Sequence, residues 1–176
     1  MKYKPHPYQQ YAIDYIKSHP IAAILLDCGL GKTSITLTAI EDMIYDTFEV
    51  RKALVVAPIR VARLSWPDEI RKWDHLSDLR YSVVVGTRAE RLAALQAKAD
   101  IYIVNRENLP WLVEESGMPF DYDMCVLDEL SSFKKCWIFP KSRVSRCQSR
   151  MNFCLRNSAT AANSKPMKST RIHGTG

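Results

Sequence analysis

Ile21-Ala22-Ala23-Ile24-Leu25-Leu26-Asp27-Cys28-Gly29-Leu30-Gly31-Lys32-Thr33 is the stretch whose reading decides the fold. Its six leading apolar residues, entered directly after Pro20, read as a buried strand of a parallel sheet, because short apolar runs bounded by breakers suit strands covered on both faces. After the glycines, Ile35, Ala39, Ile40, Met43 and Ile44 recur at helical spacing. The last turn of that helix is acidic, the wrong sign for a carboxyl end, so it is expected to fray. A strand, glycine turn and helix in this order offer outward-pointing N–H groups, close approach for an anion and a favourable helix dipole. Lys32 is therefore a candidate for the β and γ phosphates of a nucleotide, and the Thr33 hydroxyl for a Mg²⁺ ion. Leu26 stands where the longer pattern Gly-x4-Gly-Lys-Ser/Thr has its first glycine, and a tight turn without a ligand is the alternative. Cys28 lies inside the loop, either as a thiol whose pKa a helix N-terminus lowers or as a small filler.

Outward from this core the chain alternates. Before it, Tyr8, Tyr11, Ala12, Tyr15 and Ile16 form an amphipathic stripe over Pro7 to Ser18, ending before Pro20. After it come a strand at Ala53 to Ala57, a helical stretch to Trp73, a strand at Tyr81 to Val85 and a helix from Arg88 to Ala97. Thr87 with Glu90 forms a capping box for that helix, and Ser65 with Asp68 is read as a cap for the segment carrying Pro67. Two further strands, Asp100 to Val104 and Met124 to Leu127, complete an α/β alternation that implies a parallel, doubly wound sheet with helices on both faces. In such a sheet ligands bind beyond the carboxyl ends of the strands.

Asp128-Glu129 follows the last of these strands and so projects into the same crevice as the glycine loop. Aspartate in that place holds Mg²⁺, and glutamate orients or deprotonates an attacking water. A solvated acidic turn is the alternative.

The composition agrees with one soluble domain: 176 residues, 47% hydrophobic and 25% charged. No apolar run approaches the roughly 20 residues of a membrane span, and a cytoplasmic protein with no membrane partner is expected. Five cysteines without Cys-x-x-Cys spacing argue against a zinc or disulfide framework. The net charge of +6 averages two unlike parts. Residues 134 to 176 hold ten Lys or Arg and no acid, whereas residues 1 to 133 hold 15 basic and 19 acidic residues, a balance of −4.

Taken together, these motifs resemble the first RecA-like lobe of a superfamily-two helicase of the Swi/Snf-related, phage type, over residues 3 to 134. Lys4-Pro5-His6-Pro7-Tyr8-Gln9 resembles the Q motif, which implies that Gln9 reads the adenine edge. Asp27 to Thr33 resembles motif I, a segment that commonly lacks the first glycine in this family. The resemblance assigns Gly29, Leu30, Gly31, Lys32, Thr33 and Ser34 to ATP, Thr33 and Asp128 to Mg²⁺, and catalysis to Lys32, Asp128 and Glu129. Val55-Val56-Ala57-Pro58 and the following Trp66-Pro67-Asp68-Glu69-Ile70-Arg71-Lys72-Trp73 resemble motif Ia and its continuation. Arg60 and Arg63 thereby become candidates for phosphate contacts on DNA, or else an ordinary solvated helix face. Ile103 to Leu109 resembles motif Ib with an altered middle, which makes Asn105 a nucleic-acid candidate. Asp128-Glu129-Leu130-Ser131-Ser132-Phe133-Lys134 resembles the acidic motif of phage-type relatives.

The implied function is Mg·ATP hydrolysis coupled to movement on DNA, most simply double-stranded DNA, in a bacterial host cell if the gene belongs to a phage. The rival reading is a catalytically incomplete nucleic-acid-binding or regulatory protein that keeps the P-loop fold. The expected organisation is an ATP-binding domain over residues 1–134 and a basic, disordered tail over 135–176. That tail is read either as an out-of-frame product or as an electrostatic DNA-binding arm. No sequence resembling the second RecA-like lobe is read in these residues, and a separate chain is a candidate source of it.

Overall fold

In a computed structural model the described residues are 1–128 and the strand at 151–154. Six strands, β1 (Ile21–Ile24), β2 (Ala53–Ala57), β3 (Tyr81–Val84), β4 (Ile101–Asn105), β5 (Met124–Leu127) and β6 (Met151–Cys154), form one sheet in the order β1-β6-β5-β2-β4-β3. Every neighbouring pair is parallel. The expected α/β architecture is therefore present, and the carboxyl ends of all its strands share one rim.

Successive residues of the central strands face opposite layers, as the period of two requires. Ala53, Val55 and Ala57 of β2, with Ile101, Ile103, Met124 and Val126, pack beneath α1 (Pro7–Ser18), α2 (Lys32–Glu41) and α3 (Trp66–Lys72). Leu54, Val56, Tyr102, Val104, Cys125 and Leu127 form the other layer, closed by Leu95 of α4 (Arg88–Gln96) and by Leu109, Trp111 and Leu112 of α5 (Leu109–Glu114). β2, β4 and β5 are buried along their whole length, which explains their nearly unbroken apolar sequence. β1 is different: Ala22 and Ile24 are buried, while Ile21 is 62% exposed.

Several expectations are corrected. The limits of α1 are as read, but its buried face is Gln9, Ala12, Ile13 and Ile16, and Tyr11 is 71% exposed. Instead of fraying at its acidic end, α2 continues into a π-helical turn, Asp42–Asp46, closed by Thr47 N–H to Asp42 O at 2.9 Å. Ser65 does not cap α3. It closes another π-helical turn, Val61–Ser65, so the chain is already helical when it reaches Pro67. Thr87 does cap α4: its hydroxyl accepts from Glu90 N–H while the Glu90 carboxylate accepts from Thr87 N–H. Beyond Lys134, where no periodic element was expected, Met151–Cys154 forms a strand between β1 and β5. The rest of the expected tail, and Glu129, lie outside the described residues. Among the described residues no helix is long and apolar enough to cross a membrane.

Candidate nucleotide-binding site

The loop between β1 and α2 has the conformation that only glycine adopts cheaply. Gly29 has φ 83° and Gly31 has φ 75°, values that cost a side-chain-bearing residue about 1–2 kcal/mol. Gly31 is the N-cap of α2, and its carbonyl accepts from Ile35 N–H at 2.9 Å. The N–H groups of the first turn thus face the rim at the carboxyl ends of the strands.

Lys32 Nζ donates to the carbonyls of Leu26 and Asp27, both at 2.9 Å, so the ammonium is folded back onto its own loop. Gln9 clasps the loop from α1. Its side-chain amide donates to Leu30 O at 3.3 Å and its side-chain oxygen accepts from His6 N–H at 2.9 Å. Tyr8 Oη donates to the same Leu30 carbonyl at 3.3 Å. These bonds explain how a polar Gln9 is buried. Cys28 is exposed on the cavity wall.

Asp128 extends the β5–β2 ladder through its N–H to Val56 O at 2.8 Å, which fixes its backbone at the strand end. Its carboxylate is buried and accepts from the Trp66 indole N–H at 3.0 Å. A cavity of about 530 Å³ is lined jointly by Gln9, Gly29, Gly31, Lys32, Thr33 and Asp128, so residues almost a hundred positions apart meet in one space.

The nucleic-acid candidates separate. Arg60 and Arg63 are exposed on the helical segment leaving β2. Hydrogen bonds from the backbone and side chain of Thr87 hold the Glu90 carboxyl below its ordinary range, with a smaller contribution from the charge of Arg63. Asn105 is buried instead, donating to Glu107 at 2.8 Å and accepting from Asn108 at 2.5 Å. Any contact it influences therefore passes through those neighbours.

Two residues given no role from sequence stand at the site. Trp66 touches Asp128, and Glu69 accepts from Ser34 Oγ at 2.9 Å and from the Trp73 indole at 2.6 Å. The spacing of Trp66, Glu69 and Trp73, three and four residues apart, was the available signal that they share one helix face.

An all-parallel sheet with helices on both faces, a glycine loop opening a helix and an acidic residue two strands away define the class of RecA-like P-loop proteins. The chain belongs to the SNF2-related family, whose domain model matches residues 9–155. That match takes in β6. Over 133 residues the chain is 35% identical to protein p41 of Acyrthosiphon pisum secondary endosymbiont phage 1, covering 75% of this chain and 29% of p41. In fold it is similar to the SWI2/SNF2 ATPase core of Sulfolobus solfataricus, solved with dsDNA, at TM-score 0.67 and 22% identity over 93% of this chain and 34% of that one. It is likewise similar to the helicase domain of Hef from Pyrococcus furiosus, at TM-score 0.67 and 20% identity over 92% and 33% of the two chains. The chain thus spans 29–34% of the length of these relatives.

Proposed function

We propose that this chain is the Mg·ATP-binding lobe of a DNA-dependent ATPase of the SNF2 type, which moves along or remodels duplex DNA when joined by a second lobe. The observation that carries this reading is the single cavity shared by Lys32, Thr33, Asp128 and Gln9. Its residues fit the ligand. Hydroxyl and carboxylate oxygens from Thr33 and Asp128 suit a hard divalent cation. A glycine at position 31 lets Gln9 close over the loop, since a Cβ there would stand 2.5 Å from Gln9 Nε2.

In this mechanism Lys32 leaves the carbonyls of Leu26 and Asp27 for the β and γ phosphates, and the loop N–H groups from Gly29 to Ser34 hold the phosphate oxygens. Gln9 turns its amide between Leu30 O and the adenine edge. Thr33 and Asp128 would hold Mg²⁺, and the ion would supply positive charge to offset that on the phosphates. Glu129 accepts a proton from the attacking water. The second lobe, from a separate chain or a longer form of this one, brings the charge that completes the site, a contribution of roughly 10³ to 10⁵ in rate in P-loop enzymes. Arg60 and Arg63 contact DNA phosphates, and the setting is the cytoplasm of a bacterial host.

The test is calorimetric titration of the 176-residue chain with Mg·ATP. Lys32→Ala is expected to abolish binding, and unchanged affinity overturns the reading. DNA-stimulated phosphate release that Glu129→Gln removes separates a working motor lobe from a binding protein that has lost catalysis.

A further inference from the structure

We infer that Trp66 is a positioning residue for the metal-handling carboxylate: its indole N–H, donated to Asp128 Oδ2 at 3.0 Å, fixes the rotation of that carboxylate toward the cavity. The inference rests on the Mg·ATP reading of the same site and assigns it a residue outside the loop and the acidic motif.

The sheet sets where Asp128 starts but not where its oxygens point. The bond from its N–H to Val56 O belongs to the ladder and constrains the backbone alone. Rotation of the carboxylate is decided by what its oxygens touch, and a ligand group must be held to about 0.5 Å and 10–20° to act productively. The indole suits this task. It donates and never accepts, so it bonds to the carboxylate without competing for the cation. Trp66 is fully buried, and its rotamer is therefore set by packing. A core position that required bulk alone is filled as well by Phe, whereas a buried indole N–H must find a partner. The partner here is the acid that lines the nucleotide cavity.

The carrier of Trp66 supports the assignment. One turn further along α3, Glu69 accepts from Ser34 Oγ at 2.9 Å, directly behind the loop residues Lys32 and Thr33. One helix therefore grips both the acidic strand end and the phosphate-loop helix, and holds the two halves of the metal site in register. The same helical stretch begins with the exposed Arg60 and Arg63, so the lever that fixes Asp128 starts at the face proposed for DNA.

The experiment measures ATP affinity of the full chain by calorimetry with Mg²⁺ and with EDTA, the ratio being the metal increment. In Trp66→Phe the increment is expected to fall about tenfold, the lower end of what an outer-sphere partner contributes to a metal site, while affinity in EDTA stays near wild type. A purely structural role would lower both affinities together. An increment that survives the substitution overturns the inference and leaves the nucleotide reading intact. Wild-type chain that binds no ATP overturns both. If Trp66→Phe does not fold, β-(3-benzothienyl)alanine at position 66 keeps the ring shape without the N–H, and the same two outcomes apply. In Asp128→Asn the increment should already be small, and Trp66→Phe should reduce it no further. An equal further reduction there means that Trp66 does not act through Asp128.

Discussion

Ser34 Oγ donates to Glu69 Oε2 at 2.9 Å, tying the helix behind the glycine loop to the helix that follows β2. Glu69 also accepts from Trp73 Nε1 at 2.6 Å and from Lys72 Nζ at 3.1 Å. Burial pushes its carboxyl pKa up, but the hydrogen bonds from Trp73, Lys72 and Ser34 outweigh that effect and leave it below the ordinary value of 4.5. A carboxyl lowered in the folded state contributes stability that is present above its unfolded pKa and is lost as pH falls through the folded one.

Glu69→Gln should therefore destabilise the chain near pH 7 by about 1 kcal/mol, a charged hydrogen-bond value reduced for partial exposure. The melting temperature should drop ~2–4 °C. As pH falls through the lowered value of the folded carboxyl, the gap between variant and wild type should close. Thermal melts near pH 7 and below that value check this, and a gap that persists in acid means the carboxylate charge is not what the three donors require.

The two loop glycines make different predictions. Both have positive φ, yet a Cβ on Gly29 meets nothing within 4 Å, whereas one on Gly31 lies 2.5 Å from Gln9 Nε2. Gly29→Ala and Gly31→Ala should each lose about 1–2 kcal/mol of stability to backbone strain. Only Gly31→Ala also displaces the Gln9 amide from Leu30 O, so it alone should weaken ATP binding beyond the effect of Gly29→Ala. Equal affinities for the two variants would mean that Gln9 has no part in the nucleotide site.

The strands were legible because buried parallel strands write themselves as apolar runs, and β2, β4 and β5 were found within a residue of their limits. The glycine turn and the strand-end place of Asp128 were legible for a related reason: glycines and an acid interrupt those apolar runs abruptly. The register of α1 was not. Counting its tyrosines as core overlooked that α1 places the compact Ile13 inward and leaves Tyr11 in solvent. Of two π-helical turns, the one at Asp42–Asp46 still buries Met43 and Ile44, which the helical spacing had included, while the one at Val61–Ser65 shifted the start of α3 and made Ser65 look like a cap. β6 has no signature of its own, since its identity as a strand comes from β1 and β5 on either side. The grips of Trp66 and Glu69 on the site are tertiary contacts across 62 and 35 residues, a distance no local pattern encodes.

Glu41, the last residue of α2, predicts a pH effect of opposite sign. Burial, and then the charges of Asp42, Asp46 and Asp78, raise its carboxyl pKa to about 7. Lys17, bonded to Asp42 at 2.6 Å, counters only part of that charge. Folded chain holds this proton while unfolded chain releases it, so stability declines as pH rises from the ordinary value of 4.5 through about 7 and levels off above. Glu41→Gln should raise the melting temperature at pH 8, by ~2–4 °C for each kcal/mol relieved, and should change little at pH 4.5. An identical gain at both pH values would show that the charge of Glu41 is not the source of the penalty.

Arg60 and Arg63 provide the measurement that tests the DNA face. Both are exposed, close to one turn apart, with Ile59 and Leu64 exposed beside them. Removing them costs the core nothing, so the doubly substituted Arg60→Ala/Arg63→Ala chain should melt like wild type. Its affinity for duplex DNA should fall, and the slope of log affinity against log salt should shrink by about 0.9 for each phosphate no longer neutralised, at most ~1.8 in total. The ten basic residues between 134 and 176 make the comparison stringent, because any binding of theirs to DNA would proceed through the same counterion release whether or not the lobe docks. Their contribution is common to variant and wild type and cancels in the difference between slopes. An unchanged slope would assign all DNA affinity of this chain to its basic carboxyl-terminal residues and remove the helix after β2 from the interface.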